Sequence, residues 1–93
     1  MSEKIDEALN DIINETMSKN PEQNIDSDIK RSIYSKLLDT YNLTEDTYSC
    51  ERINDIRDEI IDEIRKKNSN LYINNDITRS IYYILCNLNN SKL

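Results

Sequence analysis

Glycine is absent from this chain, and histidine is absent too. Without glycine, neither a glycine-rich loop that cradles phosphate nor the glycine fingerprint of dinucleotide-binding proteins can form. Without histidine, the chain lacks the commonest general base and a frequent metal ligand. No motif meets the geometric needs of catalysis, so we expect a protein that is not an enzyme and that holds neither a metal nor a cofactor.

Cysteine and long apolar runs are also scarce. Cys50 and Cys86 are too few and too far apart for a disulfide framework or a zinc site, which predicts free thiols in a reducing compartment. No apolar run approaches the roughly 18 residues of a membrane span, and no charged-then-apolar leader opens the chain. We therefore expect a cytoplasmic protein with no membrane role. The terminal Ser91-Lys92-Leu93 matches a peroxisomal address, which allows that compartment in a eukaryotic source.

The apolar residues that remain are almost all isoleucine and leucine. Valine, phenylalanine and tryptophan are missing and six tyrosines supply the aromatic area, so 93 residues form one small domain, 1–93, with a thin core. Such a core favours self-association or burial against a partner. The abundance of Ile, Asn, Lys, Asp and Tyr is typical of AT-rich genomes, and we expect a microbial or viral source.

A repeat with a fixed offset of 48 residues organises the chain. The heptapeptide DIKRSIY at 28–34 returns as DITRSIY at 76–82, and residues 4–45 align with residues 52–93 without a gap. Of the 42 aligned pairs 15 are identical, against about four expected by chance, and a fixed period of this kind marks a repeated structural unit. Two residues 48 positions apart are called repeat counterparts below.

Apolar residues at spacings of three and four predict four helices and no strand. The first covers 3–18 with Ser2 as its cap, and the second runs from a cap at 26–28 to about Thr40. After a polar connector at 42–47, the third covers about 50–67, and the fourth starts at Asn74 or Asn75 and frays at 89–91. The predicted fold is all-α: two tandem helical hairpins packed through their isoleucine stripes about an approximate two-fold axis. Because glycine is missing, asparagines are expected at helix ends, namely Asn20, Asn42, Asn68 and Asn70.

The net charge of −6 is concentrated in the first half of the chain. Residues 1–46 contain eleven acids and five bases, whereas residues 47–93 contain seven of each. A surface of this sign repels phosphate backbones, so direct nucleic-acid binding is not expected. The acids of the first helix, Asp6, Glu7, Asp11 and Glu15, form either a solvated face that aids solubility or an anionic surface for a basic partner.

A second stripe flanks the isoleucine stripe of the second helix. Tyr34, Leu38 and Tyr41 lie about 100° from the centre of the core face, and the fourth helix repeats the pattern with Tyr82 and Cys86. The stripe either seals the contact between the hairpins or forms an interface with another chain, and we predict the interface. Asp28 and Arg31 are placed to pair on the helix surface.

These observations favour a non-enzymatic protein-interaction module. An inhibitor or adaptor from a virus or mobile element, acting through the acidic surface and the Tyr/Leu stripe, is the leading hypothesis. A structural subunit that works by homo-oligomerisation is the main alternative. A small-ligand carrier is weaker, because an unfilled cavity costs too much stability in a domain of this size.

Overall fold

The protein is an all-α bundle of four helices. A computed structural model describes residues 3–43, 50–68 and 70–90. The helices are α1 (Glu3–Ser18), α2 (Ser27–Tyr41), α3 (Cys50–Lys67) and α4 (Asn75–Asn90), which confirms the predicted fold class, and there is no strand in the described ranges. Ser2, the connector from residue 44, the side chain of Cys50 and the tripeptide 91–93 lie outside the described residues, so the predictions made for them remain predictions.

Local signals fix the helix ends where the sequence predicts them. Asp26 caps α2, its carboxylate accepting from the Ile29 backbone N–H at 2.9 Å, and Asn74 caps α4 by accepting from Ile77 N–H at 2.9 Å. Of the asparagines predicted at helix ends, Asn42 is the C-cap of α2 and Asn68 directly follows α3, whereas Asn20 lies two residues after α1 and Asn70 lies in the α3–α4 connection. None of them has a positive φ angle. Asn20 donates to the Thr16 carbonyl at 2.7 Å, which satisfies one of the carbonyls that the end of a helix leaves unpaired.

Hydrogen bonds between the hairpins show how the helices run. Asn20, after α1, bonds to Tyr72, before α4, so both intra-hairpin connections lie at one end of the bundle. At the other end Asn89 of α4 donates to the carbonyls of Thr40 and Leu43, which close α2. The helices therefore run up, down, up, down. Helix α1 packs against α2 and α4, α3 packs against the same two, and α2 also contacts α4.

The core follows the predicted stripes. Ile29 and Ile77, which are repeat counterparts, are both buried. Two buried threonines satisfy their hydroxyls by donating to the carbonyl four residues back, Thr16 to Ile12 and Thr40 to Lys36. The largest fully buried aliphatic side chains come from all four helices: Ile5, Ile12, Ile33, Leu37, Ile53, Ile56, Ile60, Ile64, Ile77, Ile81 and Leu85.

Two isoleucines that the apolar periodicity assigns to the stripe of the fourth helix, Ile73 and Ile84, are only half-buried. Ile73 precedes α4 and lines an open depression beside α3, and Ile84 lies at the edge of α4 that faces α1. The sequence periodicity identifies the apolar side of α4, but the neighbouring helix decides how much of that side is covered.

Candidate protein-interaction surface

Helix α3 carries four carboxylates in a row, each one turn after the last: Glu51, Asp55, Glu59 and Glu63. Like charges at this spacing destabilise a helix by about 0.2–0.5 kcal/mol per pair. Cations from two helices offset this repulsion. The Lys36 Nζ of α2 lies 3.1 Å from the Glu59 Oε1, and the Arg52 Nη1 lies 3.6 Å from the Glu59 Oε2.

The last carboxylate of the α3 row is paired as well. The Lys66 Nζ donates to the Glu63 Oε1 at 3.0 Å. This hydrogen bond, and after it the charges of Lys66 and Lys36 and a hydrogen bond with Ser32, hold the pKa of Glu63 below its ordinary value against the opposing effect of burial. The second half of the α3 row is therefore neutralised within the protein.

Helix α1 carries the same row, because the repeat counterparts of these four residues are Glu3, Glu7, Asp11 and Glu15. The cations are not repeated. The counterpart of Lys36 is Ile84, that of Lys66 is Ser18, and only Arg52 has a basic counterpart, Lys4. Over the whole helix α1 has five acids and one base, whereas α3 has six acids and five bases.

The acidic residues predicted for a binding surface all lie on the exposed side of α1. Asp6, Glu7, Asp11 and Glu15 are all exposed, and no salt bridge in the described ranges reaches their carboxylates. Glu7, Asp11 and Glu15 continue the row that Glu3 begins, whereas Asp6 lies about 100° round the helix from Glu7. We call the five residues the α1 acidic face.

A groove opens beside this face, between α1 and α4. Its volume is about 120 Å³, and it is lined by Lys4, Glu7, Ala8, Asp11, Ile84 and Asn87. Asp11 and Ile84 are the repeat counterparts of Glu59 and Lys36. The groove therefore occupies, on the α1 side of the bundle, the place that the Lys36–Glu59 pair occupies on the α3 side.

The predicted Tyr/Leu stripe lies partly within the monomer. Tyr34 and Tyr41 of α2 and Tyr82 and Cys86 of α4 are half-buried and pack against the core, whereas Leu38 remains 38% exposed. On the exposed side of α2, the Arg31 Nη1 lies 3.7 Å from the Asp28 Oδ1, which confirms the predicted pair.

Asn89, which stands where the first repeat has Tyr41, has a structural role of its own. Its side chain is buried and donates to the Thr40 carbonyl at 2.9 Å and the Leu43 carbonyl at 3.3 Å. This contact between the hairpins explains why the second repeat has asparagine where the first has Tyr41. The difference between the repeats therefore does not by itself indicate a binding face on the first repeat.

Sequence reasoning missed Lys36 and Ile84, which distinguish the two sides of the bundle. It located the asymmetry only as an excess of acids over bases in the first half of the chain. Between α1 and α3, however, the acids are almost equal and the bases differ. Comparing the charged residues of the two repeats position by position would have shown this.

Within the part of the chain that the structure describes, no helix combines the length and the apolar character needed to cross a bilayer. The same residues contain no group of three or more acidic or cysteine side chains placed to hold a metal ion. No protein-family model matches the chain, and neither a curated protein nor a solved structure matches it.

Proposed function

We propose that this protein is a non-enzymatic interaction module that binds a basic protein partner through the α1 acidic face. One observation carries the proposal: on the α3 side Lys36, Arg52 and Lys66 pair with Glu59 and Glu63, whereas no salt bridge among the described residues reaches the corresponding carboxylates of α1. The protein would act as an inhibitor or adaptor if the surface that it covers on the partner is one that the partner uses for its own function.

Stability does not account for the α1 acidic face. Three successive like-charge pairs, 3/7, 7/11 and 11/15, each cost the helix a few tenths of a kcal/mol. Solubility needs net charge, but it does not need four carboxylates aligned on one helix beside an apolar groove. A cationic partner would offset the repulsion between the α1 carboxylates, as Lys36 does for α3, and this relief would add to the free energy of binding.

The test is capture of a partner from the native source with immobilised protein, at low and at high salt. The wild type should retain a basic protein at about 0.05 M salt and lose it at about 0.5 M, because screening weakens exposed charge contacts. A variant with Asp6→Asn, Glu7→Gln, Asp11→Asn and Glu15→Gln should not retain it. The matched control, Glu51→Gln, Asp55→Asn, Asp62→Asn and Asp76→Asn, removes the same charge from exposed positions elsewhere and should behave as the wild type. Equal behaviour of the two variants would reject the α1 acidic face as the binding surface.

A second candidate, assembly by homo-oligomerisation, is favoured by Leu38. This leucine is exposed on α2 between two tyrosines that are themselves half-buried, which leaves an apolar strip at the surface. Two copies of the chain could bury that strip against each other, as in an isologous dimer.

A further inference from the structure

We infer that the groove between α1 and α4 receives a lysine side chain of the partner, with its ammonium group on the carboxylate of Asp11. The inference rests on the proposed function and deepens it, because it states which group of the partner is recognised and where. The protein contains its own example of such a contact on the opposite side of the bundle.

That example is Lys36 between α2 and α3. The side chain is 24% exposed, so much of its stem is covered, and its Nζ reaches the Glu59 Oε1 at 3.1 Å. Lysine packs in this way because its methylene stem can cover apolar surface while its ammonium group remains near water and an anion. Glu59 also holds Arg52 at 3.6 Å, so one carboxylate serves two cations.

The α1–α4 contact keeps a carboxylate and a cation at the positions of Glu59 and Arg52 but has no lysine at the position of Lys36. Asp11 stands where Glu59 stands, Lys4 where Arg52 stands and Ala8 where Ile56 stands. Ile84 stands where Lys36 stands and supplies no cation, and the groove of about 120 Å³ opens at this position.

The lining of the groove suits a lysine stem and its charge. Ala8 and Ile84 offer apolar surface to the methylene groups, and Glu7 and Asp11 offer carboxylates to the ammonium group. Lys4, which also lines the groove, does not oppose this binding, since Arg52 and Lys36 share a carboxylate on the other side. The occupant is therefore a lysine from a basic protein segment, whose other cations meet the remaining carboxylates of α1.

A substitution within the protein provides the sharpest test. Ile84→Lys places a lysine at the repeat counterpart of Lys36, where it can fill the groove and reach Asp11. It should weaken partner binding at least about tenfold, while leaving the unfolding midpoint equal to or above that of the wild type. Asn70→Lys adds the same charge at an exposed site in the α3–α4 connection and should change binding less than about twofold.

The probe for direct binding is an acetylated, amidated alanine-based helical peptide with four lysines on one face. In NMR titrations at about 0.05 M salt, it should shift the backbone amides of Asp11 and Ile84. Asp11→Asn should weaken it at least about fivefold, and the counterpart variant Glu59→Gln less than about twofold. A peptide with norleucine in place of lysine should not bind.

Three outcomes overturn the inference. The first is that the lysine peptide leaves the amides of Asp11 and Ile84 unshifted. The second is that the lysine peptide binds the Ile84→Lys variant as tightly as it binds the wild type. That result rejects the groove as the lysine site, although the α1 acidic face could still bind the captured partner. The third is that spermidine, as a free polyamine, binds as tightly as the peptide and shifts the same amides, which reveals a site for any small cation. Failure of the proposed function is distinct, since it appears as partner capture that is insensitive to the four-residue α1 variant.

Discussion

A single asparagine, Asn20, joins the two hairpins at one end of the bundle. Its amide pairs with the backbone of Tyr72 in both directions: Nδ2 donates to the Tyr72 carbonyl at 2.7 Å, and Oδ1 accepts from the Tyr72 N–H at 2.7 Å. Because Asn20 is buried, Asn20→Ala leaves backbone groups without partners and should lower the free energy of unfolding by about 1–3 kcal/mol. Asn68→Ala, at the repeat counterpart, removes a longer bond of 3.2 Å to the Ile64 carbonyl and should cost about 0.5–1.5 kcal/mol. Urea titration measures both, and equal losses would show that the Tyr72 contact contributes nothing.

Asn20 shows which features can be predicted from the sequence and which cannot. The sequence places Asn20 at the end of a helix, because Pro21 follows it and the apolar periodicity breaks there. The contact with Tyr72 spans 52 residues, and its formation depends on how the two hairpins dock. In the same way, local caps such as Asp26 and Asn74 were predictable, whereas the half-burial of Ile84 was not.

At the scale of the helix, α1 and α3 differ in what their carboxylates do for stability. The pKa of Glu63 is lowered from its ordinary value of 4.5, first by the hydrogen bond from Lys66. A lowered folded-state pKa means that ionised Glu63 stabilises the protein above about pH 4.5, and that this stabilisation is lost as the pH falls through the lowered value. The wild type should therefore be more stable than Glu63→Gln at neutral pH, and the difference should shrink below about pH 4.5.

The matched control for this helix-scale prediction is Glu15→Gln, at the repeat counterpart of Glu63. Glu15 has no salt bridge in the described ranges and lies one turn from Asp11, so its neutralisation should leave stability unchanged or raise it by about 0.2–0.5 kcal/mol at neutral pH. Thermal unfolding across a pH series measures both variants. A loss of stability in Glu15→Gln equal to that in Glu63→Gln would mean that α1 uses its carboxylates as α3 does.

At the scale of the whole molecule, the exposed strip around Leu38 predicts that two copies associate at high concentration. Leu38 is the cleanest probe, because Tyr34 and Tyr41 also pack against the core and their truncation removes core contacts. Leu38→Ala should weaken self-association at high concentration, while changing the free energy of unfolding by no more than about 0.5 kcal/mol. Sedimentation velocity over a concentration series, with urea unfolding of the same samples, measures both quantities. A wild type that stays monomeric at the highest concentration would reject the assembly role.

Because α1 and α3 lie on opposite sides of the α2–α4 pair, charge is distributed unevenly between the two sides of the bundle. Negative charge projects from the α1 side, while the acids and bases of α3 nearly cancel. Such a charge distribution acts as a dipole that turns a positively charged body toward α1 before the two surfaces touch, and steering of this kind raises association rates steeply as the ionic strength falls. The missing cations of the first repeat would thus affect how fast an encounter becomes productive and from which direction it comes, in addition to how tightly the complex holds.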